Sequence, residues 1–119
     1  MKILFVCSAN RDRSPTAEYA YRDTPGLEVK SAGTSSSAVR QVNEELLRWA
    51  DVILCMEERH KKKIEEKFPD IASLKVIDYL DIRDDYSCKE PSLLDAIKKK
   101  TDAWLLAYVT LTVPLSPGC

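Results

Sequence analysis

No excess of charge, no long apolar run and almost no histidine characterise this chain. Its 119 residues hold 18 Lys and Arg against 19 Asp and Glu, a net charge of −1. Nothing therefore draws the molecule as a whole toward nucleic acid or a membrane surface. The dense basic runs, "RHKKK" and "KKK", sit among acidic neighbours in helical segments and read as solvated faces, His60 included. No stretch reaches the roughly 20 consecutive apolar residues of a membrane helix. "MKILFVC" turns polar at Ser8, too early for a signal peptide. One histidine and no CxxC pair leave no metal-ligand cluster, so neither metal nor cofactor is expected. Cys7, Cys55, Cys88 and Cys119 are scattered, as in a reduced protein of the cytoplasm. Repeats, low-complexity tracts and linkers are also missing, and the length suits one domain.

What is there is an alternation. Apolar runs with strand composition fall at 2–6, 27–33, 51–56 and 74–78. Between and after them come helical patterns at 14–22, 42–50, 57–68 and 92–109, the third stopped by Pro69. Residues 79–91 are loop-like and acidic. This order predicts an α/β domain over 1–109, with a four-stranded parallel sheet and helices on both faces. Residues 110–119 match no template and form a tail of uncertain structure. Trp49 and Trp104 are assigned to the core, and Cys55 to a buried strand.

The first strand ends in "CSANRDRS", residues 7–14. In parallel sheets ligands bind beyond the carboxyl ends of strands. A loop running from strand to helix N-terminus turns backbone N–H groups inward and makes an anion cradle. Such a cradle, with cationic neighbours, favours the thiolate of Cys7. Arg13 brings a planar fork matched to two phosphate oxygens. Ser14 offers its hydroxyl to the sulfur. Ser8, Ala9, Asn10, Arg11 and Asp12 complete the cradle, and together these residues suit attack on a tetrahedral oxyanion. A leaving oxygen needs a proton donor. The acidic loop supplies Asp81, Asp84 and Asp85.

"VCSANRDRSPTAE" resembles the low-molecular-weight protein tyrosine phosphatases, and Cys7, Asn10, Arg13, Ser14 and Pro15 fall on their pattern. "KSAGT" (30–34) and "ADVILCME" (50–57) resemble further segments of that family, so the likeness covers about residues 1–100. The resemblance implies strand order 2-1-3-4, a phosphocysteine on Cys7, an Arg13 clamp, and a metal-independent hydrolase acting on phosphorylated protein or a small phosphomonoester. It places "IRDDYS" (82–87) on the family's acid loop, with Asp84 as donor, Asp85 as the alternative, and Tyr86 as a wall of the substrate pocket.

The departures from that pattern matter as well. Ala9 replaces a usual glycine, Asp12 replaces the second cysteine of a protective disulfide, and Arg11 stands where an apolar residue or threonine is common. The chain is also shorter, like a compact subgroup. Four alternatives remain: protein arginine phosphatase, arsenate reductase, a phosphocysteine phosphoryl carrier, and a phosphate-binding module without catalysis. Cys88 falls in the acid loop, where a redox pairing with Cys7 is an open alternative.

Overall fold

The carboxyl ends of two neighbouring strands build the edge on which the candidate site sits. The computed structural model describes residues 1–112, and the side chains of 1–110. The strands are β1 (Lys2–Cys7), β2 (Glu28–Gly33), β3 (Val52–Cys55) and β4 (Val76–Tyr79), all parallel, in the order β2-β1-β3-β4. The helices are α1 (Arg13–Tyr21), α2 (Glu44–Trp49), α3 (Glu58–Lys67), α4 (Pro69–Ala72) and α5 (Pro91–Thr112). The sheet order is the expected one.

Strand periodicity sorts the core into two layers. From β1, Ile3, Phe5 and Cys7 face α1 and α5, packing with Ala17, Tyr21, Leu93 and Ile97. Leu4 and Val6 face the other way, toward Leu46 and Leu47 of α2, Ile64 of α3 and Ile71 of α4. β3 splits likewise, with Val52 and Leu54 on the first face and Ile53 and Cys55 on the second. Strands covered on both faces read as unbroken apolar runs, which is why β1 and β3 stand out in the sequence.

Three details differ from the sequence reading. Pro69 ends α3 as expected but also opens the one-turn helix α4, since proline fits a first helical position. The fourth strand starts later, because Leu74 lies in a turn closed by its N–H to the Ile71 carbonyl. α5 continues through Thr112, three residues into the segment expected to be tail, and 113–119 lie outside the described residues. Trp49 packs partly buried on the α2 side, and Trp104 on the α5 side, where it donates to Asp78 at 2.7 Å. No helix among the described residues is long and apolar enough to cross a membrane.

Candidate active site

The loop from Cys7 to Arg13 is held from outside through its carbonyls. Those of Cys7, Ser8 and Ala9 accept from the N–H groups of Thr34, Ser35 and Val39, at 2.9, 3.0 and 3.1 Å. All peptides among the described residues are trans. In a trans peptide the N–H points opposite to the carbonyl. The amides of Ser8, Ala9 and Asn10 are thus turned away from the 34–39 segment. Asn10 takes φ 55°, a left-handed conformation that Asn tolerates better than most residues. It is paid for locally by the side chain, whose amide donates to Ser14 Oγ at 2.9 Å and to Ser31 Oγ at 3.0 Å.

Gly33 lets the supporting strand come this close. A Cβ built there would lie 2.4 Å from the Ser8 carbonyl oxygen, 2.7 Å from Ala38 Cβ and 3.0 Å from the Asn10 nitrogen. Two of the three are backbone atoms, which cannot swing aside. Gly33→Ala is expected to destabilise the protein by about 2 kcal/mol, as overpacking does. Urea unfolding checks this, and an unchanged midpoint contradicts it.

The loop, with Asp84 at its rim, surrounds a small cavity of about 80 Å³ lined by Cys7, Ser8, Ala9, Arg11, Asp12, Arg13 and Asp84. A larger hollow of about 390 Å³ lies beside α3, but no cysteine or arginine lines it. Cys7 is only 3% exposed, and its sulfur lies 3.0 Å from Ser14 Oγ. Ser14 accepts from Asn10, so its single hydrogen is left for the sulfur or for the Ala32 carbonyl at 3.2 Å. Behind this pair, Ser31 accepts from Asn10 and donates to Glu18 at 2.8 Å.

Arg13 is 2% exposed. Its Nη1 donates to Glu57 Oε2 at 2.5 Å and to the Ile82 carbonyl at 2.8 Å. Its Nε lies 3.6 Å from Asp84 Oδ1, an ion pair longer than a hydrogen bond. One side of the guanidinium is therefore committed to structure, while the Nε side meets the cavity rim. Burial alone would raise the Glu57 carboxyl. Hydrogen bonds from Arg13 and Arg59 outweigh it and hold the group below its ordinary range. Asp84 arrives because the chain past β4 keeps following β3: Leu80 N–H bonds the Cys55 carbonyl and Ile82 N–H the Met56 carbonyl.

Most of the expected site residues thus meet at one cavity, but not all. Asp85 faces Arg83 at 3.2 Å, and Tyr86 packs against the α5-side core. Both line a different surface hollow, with Lys100. Tyr86 as a wall of this cavity is a correction: residues 84 and 85 face different partners, and the ring is anchored in the core. Cys88 is exposed, with its sulfur accepting from Thr16 Oγ1 at 3.8 Å, and it does not line the cavity. His60 is a second correction. Expected on a solvated face, it is 1% exposed and hydrogen-bonded to Ser8 at 2.9 Å. Parallel neighbours β1 and β3 end side by side, so the first turn of α3 abuts the loop after β1. Glu57, His60 and Ser31 were thus missed. The signal for the first two was Glu and His at capping-box spacing, with Glu57 bonding the His60 backbone and His60 bonding the Glu57 backbone.

No protein-family profile matches the chain. An arginine phosphatase of Geobacillus stearothermophilus is 34% identical over 93 residues, covering 58% of this chain and 63% of that protein. The low-molecular-weight protein tyrosine phosphatase Ptp of Acinetobacter johnsonii is 33% identical over 91 residues, covering 56% and 64%. The chain thus spans just under two thirds of the length of these curated relatives. The solved structure of the Geobacillus stearothermophilus arginine phosphatase superposes with a TM-score of 0.69 and 26% identity, over 97% of this chain and 99% of that one. With a shared fold, a C-x5-R-S loop on the first strand and these sequence matches, the chain is similar to low-molecular-weight protein tyrosine phosphatases and to an arginine phosphatase of the same fold.

Proposed function

We propose that the protein is a metal-independent phosphomonoesterase of the cytoplasm that works through a phosphocysteine on Cys7. The observation that carries this is the meeting of three groups at one small cavity: a buried sulfur with a hydroxyl at 3.0 Å, a buried guanidinium, and a carboxylate 3.6 Å from that guanidinium. The Cys7 thiolate attacks phosphorus opposite the ester oxygen. Loop amides and the Nε side of Arg13 hold the equatorial oxygens as charge builds on them. Asp84 gives its proton to the departing oxygen. Its carboxylate then takes a proton from water, whose oxygen displaces Cys7 and releases inorganic phosphate. A phosphoryl carrier needs no proton donor, so the position of Asp84 supports hydrolysis over carriage.

Phosphotyrosine-type esters are the proposed substrates. The exposed cation of Arg11 lines the cavity and repels a guanidinium leaving group, while it tolerates a phenol. The matched proteins are named for both chemistries, so phosphoarginine is the second reading. Hydrolysis of p-nitrophenyl phosphate, phenyl phosphate and phosphoarginine, with chelator and reductant present, tests the proposal. Turnover of the phenyl esters, with phosphate trapped on Cys7 on rapid quenching, is expected. No turnover of any of the three overturns it.

Asp84→Asn is expected to lower kcat on phenyl phosphate by about 10²–10⁴-fold. The loss should be smaller on p-nitrophenyl phosphate, whose leaving group needs less protonation. Asp85→Asn, which removes only the partner of Arg83, should stay within about threefold. Equal losses on both esters would argue against Asp84 as the acid.

A further inference from the structure

The only histidine of the chain is buried in an otherwise charged helix. Both ring nitrogens are engaged. Nδ1 accepts the backbone N–H of Glu57 at 3.0 Å, and Nε2 lies 2.9 Å from Ser8 Oγ. Burial first, then the nearby guanidinium groups of Arg13 and Arg59, push His60 down to about 4. Near neutral pH the ring is therefore uncharged, with a single N–H. Since Nδ1 is an acceptor, that hydrogen sits on Nε2 and is donated to Ser8. Ser8 Oγ receives a hydrogen bond here and keeps its own hydrogen to give. Ser8 also lines the cavity that holds Cys7 and Arg13.

We infer that His60 is a positioning residue for the anion site: it fixes the Ser8 hydroxyl as a donor into the phosphate cavity. Glu57 completes the device. Its amide N–H sets the ring, and its carboxylate sets Arg13. One residue at the start of α3 thus holds two donors of the same site, a hydroxyl and a guanidinium. This rests on the proposed phosphate chemistry and adds to it a side-chain donor besides the loop amides.

Two measurements test it, both on the full chain. With a single histidine, nitrogen-15 NMR reports one ring, and the Nε2–H tautomer is expected from pH 6 to 8. A Nδ1–H tautomer or a charged ring in that range overturns the inference. The second is the affinity for inorganic phosphate of the wild type, Ser8→Ala, His60→Leu, His60→Gln and the Ser8→Ala/His60→Leu double variant, with urea unfolding alongside. Each of Ser8→Ala and His60→Leu should weaken phosphate binding about tenfold, the scale of one hydrogen bond to an anion. The double variant should be no weaker than the singles. His60→Gln, whose amide reaches toward Ser8, should recover binding whatever its stability. Losses that multiply in the double variant, or that follow stability alone, leave a structural histidine and overturn the inference while phosphate binding stands. A wild type that binds no phosphate and hydrolyses no ester overturns the phosphatase reading together with it.

Discussion

Cys7→Ser is expected to reduce p-nitrophenyl phosphate hydrolysis to background, a loss on the order of 10⁴-fold or more, as when a nucleophile is removed from its machinery. The reason lies in what surrounds the sulfur. A hydroxyl is a competent nucleophile only beside a base that can take its proton, whereas a thiol ionises far more readily. The group next to Cys7 is the Ser14 hydroxyl at 3.0 Å, itself a donor, and it is backed by the Asn10 amide rather than by a base. Among the described residues, the sulfur's hydrogen-bond partner is this hydroxyl and not a base that could take a proton from serine. Binding should survive. Serine is no larger than cysteine, it keeps Ser14 as a partner, and neither the loop amides nor Arg13 is touched. Inorganic phosphate affinity within about threefold of wild type, together with lost turnover, is the expected pair of results. Residual turnover above about one per cent would mean that Cys7 does not carry the phosphoryl group.

That prediction draws on residues close together in the chain, and such residues were legible. The loop from Cys7 to Ser14 is one contiguous segment, so residue type and order reveal it without knowledge of packing. β1 and β3 were legible for a related reason: helices cover both faces, and a doubly covered strand is written as an unbroken apolar run. What brings distant segments together was not legible. Glu57 and His60 belong to "EERHKKK", where the sequence presents a charged helix. Only the adjacency of β1 and β3 turns the first turn of that helix toward the loop. Ser31 lies within a quoted segment, but its part in bracing Asn10 follows from the β1–β2 register, in which Phe5 stands opposite it. Tyr86 failed for a local reason. A position in register with a motif gives no direction for the side chain, and this ring turned to the core. That residues 79–91 form an acidic loop was legible, but the direction of Asp84 depends on a partner far away in sequence, Arg13, while Asp85 turns to its neighbour Arg83.

Arg13→Ala should damage both chemistry and fold, and the two losses have separate origins. The Nε side meets the cavity, and losing it removes charge stabilisation from the equatorial oxygens, about 10³-fold in kcat. The Nη1 side ties the loop to Glu57 and to the Ile82 carbonyl, and so joins the ends of β1 and β3 to the segment that carries Asp84. Removing one partner of a buried ion pair costs about 3–5 kcal/mol. The lower end applies here, because Glu57 is a quarter exposed and keeps Arg59 at 2.9 Å. Arg13→Lys separates the contributions. An ammonium can stay with Glu57 and preserve most of the stability, but it is a point charge and cannot hold Glu57 and a pair of phosphoryl oxygens at once. Urea unfolding should therefore rank wild type, Arg13→Lys, Arg13→Ala in falling order. Turnover should instead group the two variants together, far below wild type. If Arg13→Lys retained wild-type turnover, the fork geometry would be irrelevant and a single positive charge would suffice. If Arg13→Ala unfolded like wild type, the link to Glu57 and Ile82 would contribute nothing to holding the loop against its neighbours.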